Sequence, residues 1–298
     1  MKQTLENNSV AHVAADSEPT PVPLSWSRLD IEQRLGFRGA RFTRVNNLLG
    51  FILACILAVA FYAALIPFRE TMFAVMFFDR GPTQYAAVLL TAWSAAILFI
   101  KWRKLKLQRR ALGYEVVPSS HEFVLSSATV DQVTDRIYAT VDDPRRFVLF
   151  NRISIALSNL RNLGRVSDVD DILRAQGEQD EGGMETSYAL VQGFVWAIPV
   201  LGFIGTVLGL SDAIAAFSGV LGAAKEIEEI SGALRGVTAG LATAFETTLV
   251  ALVAALFIQL ALTGLKKSEE EFLDECGEYC LRHVVGRLRI LPFDTESE

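Results

Sequence analysis

Five polar side chains stand inside apolar runs that are long enough to cross a membrane: Thr206 in one run, and Thr243, Glu246, Thr247 and Thr248 in the next. A charged side chain at the bilayer centre costs about 2.5 kcal/mol or more even on the mildest insertion scales, so a carboxylate such as Glu246 marks an ion-handling site by default. The competing role is an interhelical hydrogen bond. A threonine hydroxyl can hold water or an ion, or it can bond back to a carbonyl one turn earlier. At about 100° per residue, Glu246 and Thr248 lie roughly 200° apart around a helix and do not face one lumen. Thr243 and Thr247 flank the Glu246 side, where a carboxylate-hydroxyl network would hold a proton or join two helices.

The elements that carry these groups are rich in small residues. Gly202, Gly205 and Gly209 follow Pro199 at helical spacing, and Gly232, Gly236, Gly240, Ala244 and Thr248 recur every fourth residue. Small residues at such spacing let helix backbones approach closely in a bilayer. Pro199, Gly202, Gly205, Gly209, Gly236 and Gly240 are therefore expected at helix contacts, with Pro199 weakening its helix locally.

These helices belong to a chain of 298 residues that is 51% hydrophobic and 21% charged, with a mean hydropathy of +0.32. The balance predicts an all-α polytopic membrane protein with a substantial aqueous part. Apolar stretches near 48–67, 85–102, 188–217 and 232–265 each reach the ~20 residues that a membrane span needs. The last two exceed that length, so their helices should extend beyond the bilayer. Basic residues gather before the first stretch (Arg34, Arg38, Arg41, Arg44), after the second (Lys101, Arg103, Lys104, Lys106, Arg109, Arg110) and after the fourth (Lys266, Lys267). By the positive-inside rule all three clusters and both termini face the cytoplasm. They read as topology signals and contacts with anionic lipid. No secretory signal peptide is visible, so the first span reads as a retained anchor.

The expected organisation is a cytoplasmic tail and interfacial segment (1–45), a first transmembrane hairpin (46–102), a helical cytoplasmic domain (103–187), a core transmembrane hairpin (188–265) and a cytoplasmic C-terminal helix and tail (266–298). Within the third part, Ile153, Leu157 and Leu160 form an apolar stripe, Gly164 should end that helix, Ser167 should start the next, and residues 176–183 read as a polar joint. The run Asp142-Asp143-Pro144-Arg145-Arg146 reads as a solvated face or a docking site.

A formal charge of −6 opposes nucleic-acid binding. His12, His121 and His283 are scattered, and neither a nucleophilic triad nor a phosphate loop is present, so an enzyme is not expected. Cys276, Cys280 and His283 share a helix face but lack a fourth ligand, so no metal and no bound cofactor are expected.

The stretches Pro199-Val200-Leu201-Gly202-Phe203-Ile204-Gly205-Thr206-Val207-Leu208-Gly209-Leu210 and Gly240-Leu241-Ala242-Thr243-Ala244-Phe245-Glu246-Thr247-Thr248-Leu249-Val250-Ala251-Leu252 resemble the MotA/TolQ/ExbB proton channel family, over roughly 157–271. The resemblance implies a homo-pentamer in the bacterial inner membrane around a dimer of an ExbD/TolR/MotB-like partner, whose single membrane helix bears an Asp. Thr206 and Thr248 match the family's pore-lining threonines. TolQ and ExbB members carry a Glu at the position of Thr243, whereas here the carboxylate stands at Glu246, where other members carry an Asp.

The expected function is then an ion-conducting subunit of a proton-motive-force-driven motor, with the proton as coupling ion. A sodium-driven version and a scaffold without conduction are the alternatives. Flagellar rotation, outer-membrane or biopolymer transport, gliding and phage defence all remain open as the driven process.

Overall fold

The computed structural model describes residues 23–288 apart from 38, 80, 119–122, 164–165 and 222–226. The described residues form helices α1 (Trp26–Leu29), α2 (Ile31–Arg34), α3 (Asn47–Leu65), α4 (Met72–Phe78), α5 (Pro82–Arg110), α6 (Val130–Thr140), α7 (Val148–Leu163), α8 (Val166–Leu221) and α9 (Ile227–His283), with no strand among them. Four segments are long and apolar enough to span a membrane: Asn47–Phe68, Pro82–Ala111, Asp168–Ala215 and Leu234–Arg287. The chain is an all-α polytopic protein.

Local chemistry sets the ends of the first hairpin. Asn46 caps α3 by accepting a hydrogen bond from the Leu48 amide at 3.0 Å. Gly81 has φ of +86°, a conformation that favours glycine, and Pro82 then supplies a pre-set φ at the first position of α5. The two helices meet at Gly50, where an added Cβ would lie 3.2 Å from Ile97 and 3.3 Å from Trp93. Trp93 in turn packs edge-on against Phe51 of α3 and at a tilt against Phe194 of α8, each at 4.9 Å between ring centroids, so one indole joins the hairpin to the core.

Helices α8 and α9, of 56 and 57 residues, run side by side and continue past the apolar stretch. At about 1.5 Å per residue each is roughly 80 Å long, against a hydrocarbon core of about 30 Å. Their far ends pack with α6 and α7 into a helical base whose core includes Ile137, Phe147, Phe150, Leu157, Val169, Phe272 and Cys276.

Two expectations are corrected. The joint expected at 176–183 does not exist, because α8 passes through Gly177, Gly182 and Gly183 without a break. Each glycine costs about 1 kcal/mol relative to Ala. Burial of Leu173 and Met184 and the Arg152–Asp180 ion pair at 2.7 Å hold this stretch helical. The segment expected to lie on the lipid surface is in part folded into the base. Trp26 is buried edge-on against Phe147 at 5.3 Å, and Glu32 is buried as well.

Helix α8 begins at Val166, so Ser167 falls inside its first turn. Gly164, expected to end α7, lies outside the described residues.

Candidate functional site

Close approach of α8 and α9 is written into their glycines. A Cβ on Gly202 would sit 2.6 Å from the Ala251 Cβ, and one on Gly240 would sit 2.6 Å from the Ala213 Cβ. Gly209 lies against the Gly240 carbonyl, where a Cβ would meet it at 3.4 Å. Any larger side chain at Gly202 or Gly240 forces the helices apart. Gly232 and Gly236 are different, for a Cβ on either meets nothing within 4 Å. A row of every fourth residue turns about 40° per step around a helix, so Gly236 lies some 120° from Thr248 and leaves the seam. Pro199 sits inside α8 without ending it, three residues before Gly202.

This closeness brings Thr206 and Thr248 together. Their hydroxyls are in direct hydrogen-bond contact across the seam, and both side chains are half-buried. Thr248 donates to the Gly202 carbonyl at 3.0 Å; Thr206 lies 3.0 Å from the Ala244 carbonyl and 3.2 Å from the Gly202 carbonyl. Each hydroxyl has one proton and two lone pairs. Two protons are thus shared among two carbonyls and the two hydroxyl oxygens, and rotation of either O–H re-routes the chain of bonds at little cost. The back-bond expected of an isolated membrane threonine is present, but it coexists with a cross-helix partner.

Thr247 shares the Ala244 carbonyl with Thr206. It is 1% exposed and donates to the Ala244 carbonyl at 2.9 Å. Glu246, one residue earlier, is half-buried on the same turn. Thr243 lies on α9, with its side chain outside the described residues.

A second polar cluster belongs to no motif in the sequence. Glu269 of α9 is 3% exposed and accepts from Thr43, from Tyr188 at 2.6 Å and from Lys101 at 3.3 Å. The Lys101 ammonium also lies 3.9 Å from the centre of the Tyr188 ring. One turn along α5, Lys104 reaches Glu32 at 2.6 Å and the Arg44 carbonyl at 2.7 Å. The expectation that Lys101 and Lys104 are lipid-facing topology charges is corrected, since each is 1% exposed. Buried ammonium groups persist only when paired, and both are. A signal is present in the sequence: Glu269 falls on the buried face of α9 that Leu262, Leu265, Phe272 and Cys276 define.

The charged run at 142–146 keeps Asp142 and Arg145 exposed, as expected of a solvated face, while its carboxylates also fasten neighbouring segments. Asp142 accepts from the Trp26 amide at 2.8 Å, the Ser27 amide at 3.1 Å and the Ser25 and Ser27 hydroxyls, while Asp143 pairs with Arg146 at 3.1 Å. Cys276 and Cys280 pack in the core of the base, and His283 stacks on Tyr279 at 4.6 Å.

Fold and site together define a class: a helical membrane protein whose long core hairpin brings hydroxyls into contact at membrane depth. Residues 148–277 match the family model of the MotA/TolQ/ExbB proton channel family, which is what this segment of the chain is similar to. The match takes in α7, α8 and most of α9 and leaves the first hairpin outside it. No curated protein and no solved structure matches the chain.

Proposed function

We propose that the chain is the ion-conducting subunit of a membrane motor driven by the proton-motive force. Five copies would surround a dimer of a single-span partner bearing a membrane Asp, in a bacterial inner membrane with both termini in the cytoplasm. The carrying observation is the Thr206–Thr248 hydroxyl contact inside a glycine-lined seam. Two protons distributed over four oxygens can pass a proton to and from a facing carboxylate without moving the backbone. Each neutralisation of the partner's Asp would free the ring to shift, driven by about 2.3 kcal/mol per charge per 100 mV. Thr247 and Glu246 lie on the adjoining side of that turn of α9 and, with Thr243 earlier on the same helix, would tune access to that path.

Native mass spectrometry of the complex drawn from its membranes should show five copies with two of a single-span protein; a chain that purifies alone counts against the reading. In proteoliposomes of that complex, Thr206→Val and Thr248→Val should each cut gradient-driven proton flux at least tenfold while leaving its mass unchanged. Wild-type flux from both variants would instead support a scaffold, a reading favoured by the carbonyl bonds that already satisfy both hydroxyls. Threonine hydroxyls can also ligate sodium, so flux against external sodium at fixed pH separates the two coupling ions.

A further inference from the structure

Gln84 stands at the start of α5, in the first hairpin and outside the family match. Its side chain is 1% exposed, and its Nε2 has no hydrogen-bond acceptor among the described residues. A buried amide left without a partner costs about 1–3 kcal/mol, so an acceptor is called for.

The surroundings of Gln84 follow from its neighbours. Thr83 of α5 approaches Thr247 at the Gly205 backbone, since a Cβ on Gly205 would lie 2.9 Å from the Thr83 hydroxyl and 2.9 Å from the Thr247 hydroxyl. Further along, Ala87 packs with Ile198, Ala251 and Ala255, and Lys101 meets Glu269. Helices α5 and α9 therefore run in the same direction, and Gln84 falls level with Thr247. Its N–H donors are unspent. The Thr247 hydroxyl gives its proton to the Ala244 carbonyl and keeps lone pairs, and Thr83 adds a second hydroxyl. A donor and two acceptors at one level are what a bound water requires, since buried waters make about three hydrogen bonds. The missing side chain of Gly205 lets both hydroxyls draw in against the α8 backbone.

We propose that Thr83, Gln84 and Thr247 enclose a hydrated site where the first hairpin meets the core pair. Thr247 and Thr248 lie about 100° apart on α9, so this site and the Thr206–Thr248 pair occupy two sides of one turn. The first hairpin then does more than anchor the chain: it brings water to the turn of α9 that carries Glu246. That this water feeds the coupling ion rests on the motor reading; that it is there does not.

Reactivity of a cysteine introduced beside the native Cys55, Cys276 and Cys280, in the full-length chain in its membrane, tests the proposal. Silver ion, a thiol reagent small enough to follow water, is applied to Gln84→Cys and Ala87→Cys, and the thiol that remains is counted by maleimide after denaturation, with the parent chain as background. Gln84→Cys should react at least tenfold faster than Ala87→Cys, one turn deeper in the packed cluster; equal and slow rates overturn the site. A cysteine labelled only because packing had loosened would react whatever stands at position 247. In a hydrated site the further change Thr247→Val should slow the reaction several-fold, and an unchanged rate overturns the proposal. Should Gln84→Cys fail to fold, the Thr247→Val effect is measured on Thr83→Cys, where slowing supports the site and an unchanged rate overturns it. These rates need neither a gradient nor a partner, so a dry site leaves the motor reading intact, and failure of the Thr206 and Thr248 test leaves the hydrated site standing.

Discussion

The two polar regions of the α8–α9 pair are built on opposite principles. At Thr206 and Thr248 the groups are neutral and half-buried, and they hold more acceptors than protons, so their bonds can be redrawn. At Glu269 the groups are charged and buried, and the carboxylate is held by an ammonium, a phenol and a hydroxyl that leave it no alternative partner. The first arrangement suits a group that must change state; the second suits a bolt. The bolt ties α5, α8, α9 and the Thr43 segment together where the membrane-spanning part meets the base, so whatever happens at the threonines happens against a fixed frame.

The largest expected effect comes from breaking the bolt on one side only. Lys101→Met or Glu269→Leu leaves a buried charge unpaired and should cost about 3–5 kcal/mol, seen as a sharp drop in the melting temperature of the purified chain. The double variant should recover most of that loss, because a buried ion pair replaced by apolar side chains of similar size is often near neutral. A double variant as unstable as its parents would mean that Thr43 and Tyr188 matter more than the pair.

A smaller effect separates the seam from its continuation. Gly202→Ala and Gly240→Ala each place a Cβ 2.6 Å from a facing alanine Cβ and should destabilise by about 1–3 kcal/mol. Gly236→Ala meets open space and should stabilise by up to about 1 kcal/mol through helix propensity alone. Thermal melts of the three variants give the sign directly. If Gly236→Ala also destabilises, something beyond the single chain packs on that face.

Much of this architecture is legible in the sequence. Apolar runs of the right length announce four spans, and Gly202, Gly205, Gly209 and Gly240 announce a close seam, because length and side-chain size are local properties. The Thr206–Thr248 contact is legible only through the resemblance, since no periodicity says which face of one helix meets which face of another. Lys101 and Lys104 mislead because a lysine after a membrane span is ordinarily a topology signal; only the partners Glu269 and Glu32, from distant segments, turn them inward. Residues 176–183 mislead because three glycines weaken a helix locally, whereas Arg152, Leu173 and Met184 decide the matter through tertiary contacts. Gln84 gives no signal at all, for a glutamine near the end of an apolar run is usually solvated.

The smallest expected effect concerns a third kind of polar contact, a carboxylate that is neither at membrane depth nor paired with a cation. Burial alone would raise the pKa of Asp142, but the Trp26 and Ser27 amides and the Ser25 and Ser27 hydroxyls outweigh it and hold the group below its ordinary value. A carboxylate whose folded pKa is depressed contributes stability above its unfolded pKa and loses that contribution as pH falls through the folded one. Docking of α1 on the base should therefore be intact at neutral pH and fail only in strong acid, below the usual carboxylate range. Limited proteolysis near residues 23–45 against pH, using an acid-active protease, should show cleavage rising there before the rest of the chain unfolds. In Asp142→Asn the amide still accepts hydrogen bonds but carries no charge, so cleavage should be modestly raised at every pH and lose its acid dependence. An acid step that survives in Asp142→Asn would place the titrating group elsewhere, and not at Asp30, whose carboxyl burial pushes up, so that its protonation favours the docked form.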